Sequence, residues 1–178
     1  MEWTNLYVAS QVVTIISYLF LALTYYAKNR KRILILSFLS LIVTGVAYIL
    51  LNAWTGLAMC IVAIIRNIIF IIDEKVNGKS NKINKKDIII IVILFVISII
   101  SAIFTFDGIL SLLSVAATML YTYSVWQKNT KLYKFLGIPI GILWIAYNLY
   151  VKSLFGIILE STLLICSIVG YILEKNKK

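Results

Sequence analysis

The sequence predicts an all-α integral membrane protein of seven transmembrane helices, on three observations. Apolar residues make up 62% of its 178 positions. Runs near the ~20 residues that cross a hydrocarbon core recur from end to end. Basic residues gather after every second run. Helices are expected because a helix satisfies its own backbone groups in lipid, and these runs are too long and too uniformly apolar for alternating barrel strands.

Span one covers 5–27. It is too long for the apolar core of a signal peptide, no basic segment precedes it and no convincing small-residue cleavage site follows, so it reads as a retained helix. Ser10, Thr14 and Ser17 share one of its faces. Span two, 31–51, follows Lys28, Arg30, Lys31 and Arg32, and its spacing sets Ser37, Ser40, Thr44 and Tyr48 along one face. Span three, 54–73, follows an uncharged connection and contains Arg66 and Asn67. A Lys, Asn and Gly linker then carries Lys75, Lys79, Lys82, Lys85 and Lys86. Span four, 87–106, is interrupted only by Ser98, Ser101 and Thr105 and reads as a lipid-facing linker. Span five, 108–126, after Asp107, aligns Ser111, Ser114, Thr118 and Thr122. Span six, 132–151, after Lys128, Lys131 and Lys134, holds Pro139 between Gly137 and Gly141. Span seven, 154–173, follows the lone Lys152, contains Glu160, and is succeeded by Lys175, Lys177 and Lys178.

One side of the membrane therefore receives fifteen of the seventeen basic residues, and the positive-inside rule makes it the cytoplasm. The N-terminus is expected outside and the C-terminus inside. A net charge of +10 is explained by this topology and by anionic headgroups, so the lipid bilayer is a partner and nucleic acid is not. Cys60 and Cys166 lie inside spans three and seven without CxxC spacing, and histidine is absent. They read as small apolar residues, and no metal or other cofactor is expected. No GxSxG, HExxH or phosphate-cradling loop appears and no loop can hold a catalytic domain, so an enzyme is not expected.

The organisation reads as a repeat. Shifted by a hundred residues, Lys28-Asn29 meets Lys128-Asn129, Lys31 meets Lys131, Gly56 meets Gly156, and the polar face of span two lies on nearly the same register as Gly137, Gly141, Trp144 and Asn148, three of the four positions coinciding. The expected domains are a first three-helix unit at 1–74, a cytoplasmic loop and linker helix at 75–106, and a second three-helix unit at 107–178. Both units begin outside, so the repeats are parallel, in a 3+1+3 plan.

The stretches "LNAWTGLAMCIVAIIRNIIF" at 51–70 and "LWIAYNLYVKSLFGIILESTLL" at 143–164 resemble YgjV-type bacterial inner membrane proteins. The resemblance rests on Gly56 with Arg66, on Trp144, Asn148, Gly156 and Glu160, and on Gln11. It implies a location in the bacterial plasma membrane. More remotely, the 3+1+3 plan is similar to the SWEET and PQ-loop superfamily, although no Pro-Gln pair exists here and the lone proline is Pro139.

Few residues here can carry chemistry. Arg66 lies twelve residues below Trp54, about 18 Å down a helix. A charge at that depth costs roughly 2.5–3.5 kcal/mol and so faces protein, water or a partner. Glu160, six residues into its span, lies only about 9 Å deep, so an ion pair with Arg66 needs both side chains to reach or water between them. Trp144 sits away from the membrane boundary that explains Trp3, Trp54 and Trp126. With Asn148 it offers an aromatic face beside an amide, a combination that stacks on and orients a ring. Asn67, Gln11 and Tyr48 complete the candidate substrate-binding set. Each also has a packing or hydrogen-bonding reading, and the GIPIG segment reads equally as hinge or close packing. The leading expectation is a carrier or facilitator of a small polar solute (sugar, nucleoside or vitamin-like) through a cavity between the repeats. The alternative is a non-transporting receptor or interaction protein, and a homo-oligomer is compatible with either. Cysteine labelling from outside should modify a thiol placed at Ser153 and miss one at Ser80. The reverse pattern would overturn the orientation.

Overall fold

The computed structural model describes residues 5–50, 54–77, 85–104, 109–150 and 154–176. Seven helices appear among them: α1 (Asn5–Thr24), α2 (Arg30–Leu50), α3 (Trp54–Asn77), α4 (Lys85–Phe104), α5 (Leu112–Trp126), α6 (Thr130–Tyr150) and α7 (Leu154–Lys175). Four stretches are long and apolar enough to cross a membrane: Asn5–Thr24, Arg30–Leu50, Thr130–Tyr150 and Gly156–Lys175. The α3 sequence interrupts its apolar run with Arg66, Asp73, Glu74 and Lys75. The apolar parts of α4 and α5, Asp87–Ile100 and Leu112–Trp126, are shorter. Trp3, Asn52, Lys79, Lys82, Asp107 and Lys152 lie outside the described residues.

Helix ends differ from the sequence expectation for identifiable reasons. Helix α1 stops at Thr24 because Tyr25, Tyr26 and Ala27 donate to carbonyls three residues back, tightening the chain into a turn. A 3-10 turn at Ile109–Ser111 precedes α5. Helix α3 runs one turn longer than expected, to Asn77, and that extra turn meets α2: Arg30 pairs with Glu74 at 2.7 Å and Asp73 at 3.4 Å.

The chain divides into two compact units, Met1–Lys79 and Ser80–Lys178. In the first, α2 packs against both α1 and α3; in the second, α6 packs against both α5 and α7. Helix α4 packs on α5. It buries Asp87, Ile91 and Leu94 while Ile88, Ile89, Val92, Ile93 and Val96 stay exposed, and its start is tied by Trp126 Nε1 donating to the Asp87 carbonyl at 3.0 Å.

Local structure a hundred residues apart is repeated in detail. Asn29 Oδ1 caps α2 by accepting from Arg32 N, and Asn129 Oδ1 caps α6 by accepting from Lys131 N, both at 2.9 Å. Thr24 and Ser124 are buried and donate to the carbonyls three residues back, of Leu21 and Tyr121. Ile33 and Tyr133, Leu34 and Lys134, and Ser40 and Ile140 are buried in pairs. Glu74 and Glu174 each take the basic residue near the start of the preceding helix, Arg30 in one unit and Lys134 at 2.8 Å in the other. Arg30 and Lys134 are 6% and 2% exposed. Removing one partner of such a pair strands the other and destabilises by up to about 3–5 kcal/mol.

Helix α6 continues through Pro139. Proline lacks an N–H to bond the carbonyl four residues earlier, and beside that gap Ser167 Oγ of α7 donates to the Lys134 carbonyl at 2.6 Å. One turn further, α6 and α7 approach closely. A Cβ built on Gly141 would lie 3.1 Å from Leu164 Cβ and 3.5 Å from its Cα, atoms fixed to the α7 backbone. At Gly45 of α2 the nearest atoms, Leu57 Cδ1 and Cys60 Sγ, stand at 3.7 and 3.8 Å and leave ordinary room. Gly141→Ala should therefore lower thermal stability in detergent, by roughly 1–3 kcal/mol. Gly45→Ala should be neutral, or stabilising by about 0.5–1 kcal/mol through helix propensity. Equal effects of the two substitutions would show that the α6–α7 contact is not the tight one.

Candidate functional site

The polar residues of the first unit converge on α2. Ser37, Ser40 and Thr44 occupy one face, as their spacing requires. Ser40 and Thr44 turn to α1: Ser17 Oγ lies 2.9 Å from Ser40 Oγ, 2.6 Å from Thr44 Oγ1 and 3.0 Å from the Ser40 carbonyl. Thr44 Oγ1 reaches the same carbonyl at 3.0 Å. Such interhelical bonds average about 0.6 kcal/mol each in a membrane and reach about 1.7. These hydroxyls are spent on one another, so this face joins helices. In the second unit the equivalent positions are Ala117, Ile140 and Trp144, and this three-hydroxyl cluster has no counterpart. Several other described hydroxyls bond within their own helices, Thr14 to the Ser10 carbonyl, Thr122 to that of Thr118 and Thr162 to that of Ile158.

Ser37 turns the other way, to α3. Asn67 Nδ2 donates to Ser37 Oγ at 3.0 Å. Asn67 is 0% exposed, and its Oδ1 accepts no hydrogen bond among the described residues. Leaving a buried acceptor unmet costs about 1–3 kcal/mol. Arg66, its chain neighbour, is 7% exposed near the middle of α3. Higher on the same helix pair, Cys60 Sγ donates to the Leu41 carbonyl at 3.0 Å, and half-buried Tyr48 lies beside Cys60. Gln11, on α1, is half-buried with Nε2 donating to Ser10 Oγ at 3.3 Å. Among the described residues no hydrogen bond joins Gln11, Tyr48 and Asn67, so the first unit holds these candidates at separate points.

The second unit carries Trp144, Asn148 and Glu160. Trp144 and Asn148 are half-buried on α6. The Trp144 ring meets Tyr147 edge-on, centroids 5.8 Å apart at 77°. Asn148 Nδ2 donates to the Trp144 carbonyl at 2.9 Å, which fixes the amide and leaves its carbonyl and second N–H to act elsewhere. Tyr147, absent from the sequence-derived set, therefore belongs with Trp144. Its spacing of three from Trp144 was the available signal. Glu160 of α7 is 8% exposed. Among the described residues, Arg66 of α3 and Glu160 of α7 are thus both buried.

The family model Imp-YgjV, described as a bacterial inner membrane protein, matches residues 8–178. No curated protein and no solved structure matches the chain.

Proposed function

The chain belongs to the Imp-YgjV family of bacterial inner membrane proteins, and on that footing we propose that it is a carrier or facilitator of a small polar solute. In this reading all seven helices cross the bilayer, the two three-helix units are parallel repeats joined by α4, and the N-terminus faces outward. The charge alternation supports that orientation, and the local equivalences at a hundred-residue offset support the repeat. A helix that is marginal by apolar length alone can cross as part of a bundle, where neighbouring helices meet its polar groups. That is the place for α3, whose charges are Arg66 at mid-helix and Asp73 and Glu74 at the end paired with Arg30.

The burial of Arg66 and Glu160 carries the proposal. Insertion of each into hydrocarbon is disfavoured by several kcal/mol at bilayer depth, and intramembrane ionisable groups mark solute or ion pathways more often than they serve packing. Arg30 and Lys134 are paired near the starts of α2 and α6, and Arg66 and Glu160 stand within the spans. In the second unit Trp144, beside Tyr147, supplies a stacking face and Asn148 a hydrogen bond, while Asn67, Gln11 and Tyr48 are separate polar groups of the first. The carrier cycle is facilitated, ion-coupled or driven by a separate partner, since the sequence has no nucleotide-binding motif.

If Trp144 contacts a ring-bearing solute, Trp144→Ala should abolish saturable uptake into proteoliposomes while the protein still folds. Trp144→Phe should retain part of it, and Asn148→Ala should relax selectivity. Should Trp144→Ala unfold the second unit and Trp144→Phe restore it with uptake unchanged, Trp144 is a packing residue.

A further inference from the structure

The chain's single proline, Pro139, lies inside α6, and the contacts on both sides of it lead to one helix, α7. On the cytoplasmic side Lys134 is tied twice. Its Nζ meets Glu174 Oε2 at 2.8 Å, and its carbonyl accepts from Ser167 Oγ at 2.6 Å. The next ring, Phe135, stands against Tyr171 with centroids 5.5 Å apart. Beyond the proline, Gly141 lies so close to Leu164 that an added Cβ would fall 3.1 Å from the Leu164 Cβ. All four partners belong to a single unbroken helix, Leu154–Lys175.

A proline leaves the carbonyl four residues earlier, here that of Phe135, without its helical donor, and such gaps are the usual places where helices kink. A bend at Pro139 would move Lys134 and Phe135 relative to Gly141. Helix α7 fixes the distance between those attachment points, so α6 cannot bend until one side lets go. Neither side is easily released: Lys134 is 2% exposed, and parting it from Glu174 would leave buried charge unpaired. The ties also accompany the proline. A hundred residues earlier Leu39 takes the place of Pro139, and Leu34, Ile35 and Ile71 take those of Lys134, Phe135 and Tyr171. Asn67, in the place of Ser167, donates to a side chain, Ser37 Oγ. The ion pair of that unit starts one turn earlier in α2, from Arg30.

We infer that Lys134, Ser167 and Gly141 form a clamp that makes α6 and α7 one rigid body across Pro139. The GIPIG segment is then a close-packing device whose hinge is held shut by α7. This inference is independent of the carrier reading. Any rearrangement within the second unit carries α6 and α7 together, and α6 bends only where the clamp is opened.

The test uses the full-length protein in detergent, with Cys60→Ala and Cys166→Ala, carrying nitroxide labels on cysteines placed at Lys131 and Ile172, both exposed, near the start of α6 and the end of α7. Pulsed electron paramagnetic resonance should give one narrow distance distribution, which Pro139→Ala leaves unchanged. Lys134→Met, Glu174→Gln and Ser167→Ala together open the clamp without stranding a charge. In that variant a second population should appear, displaced by about 4 Å, the swing of a kink of about 20° acting over the residues from 131 to 139. Adding Pro139→Ala should abolish it. If the triple variant does not fold, Ser167→Ala alone carries the same comparison. A broad distribution in the clamped protein that Pro139→Ala narrows would make Pro139 a working hinge and overturn the clamp. A single narrow distribution in the opened variant would show that these residues do not hold the gap, and overturns it equally. A second population that persists after Pro139→Ala would mean only that α6 and α7 have come apart, and contradicts a restrained hinge.

Discussion

Every polar side chain in a lipid-embedded helix has to be met by another group of the protein, because the surrounding solvent offers nothing in return. This constraint orders the molecule. Ser17, Ser40 and Thr44 form a closed set between α1 and α2. Buried Arg30 and Lys134 are matched by carboxylates of α3 and α7. The carbonyl beside the proline gap in α6 is met by Ser167. The outward faces are left to Ile, Leu and Val, many of them more than 40% exposed, a surface that would aggregate in water and is at ease in acyl chains.

Against that background the two units differ in an informative way. They share caps, buried positions and a carboxylate at the end of the last helix, yet they distribute their remaining polarity differently. The first unit concentrates hydroxyls where its first two helices meet and adds Arg66 and Asn67 on α3. The second replaces those hydroxyls with Ala117, Ile140 and Trp144, draws α6 and α7 together at Gly141, and places Glu160 where the first unit has Cys60. The common positions hold each unit together, and the unshared ones give each unit a polar content of its own.

Much of this was legible in the sequence, and the limits have physical causes. Helix number and approximate bounds followed from apolar run length. The end of α1 was overrun by three residues because composition does not distinguish a last helical turn from a 3-10 turn. The end of α3 was cut short because Glu74 and Lys75 look like a loop until Arg30 is seen across from Glu74. The serine and threonine faces of α1 and α2 were placed correctly as faces. Spacing says which residues share a side of a helix, not whether the neighbour on that side is a solute or another hydroxyl. The burial of Arg66 and Glu160 agrees with the expectation from depth, since lipid excludes charge. The unmet oxygen of Asn67 had no sequence signature, because satisfaction of a hydrogen bond is a property of three-dimensional neighbours.

The central claim is that the buried ionisable positions of an apolar helical protein line a route for solutes, and accessibility tests it directly. In a Cys60→Ala, Cys166→Ala background, a cysteine placed at Glu160 should react in intact vesicles with a charged, membrane-impermeant thiol reagent. The reaction should slow when a transported solute is present. Reaction only with a lipid-soluble reagent, unaffected by any solute, would place position 160 in a sealed core or against acyl chains and contradict the account.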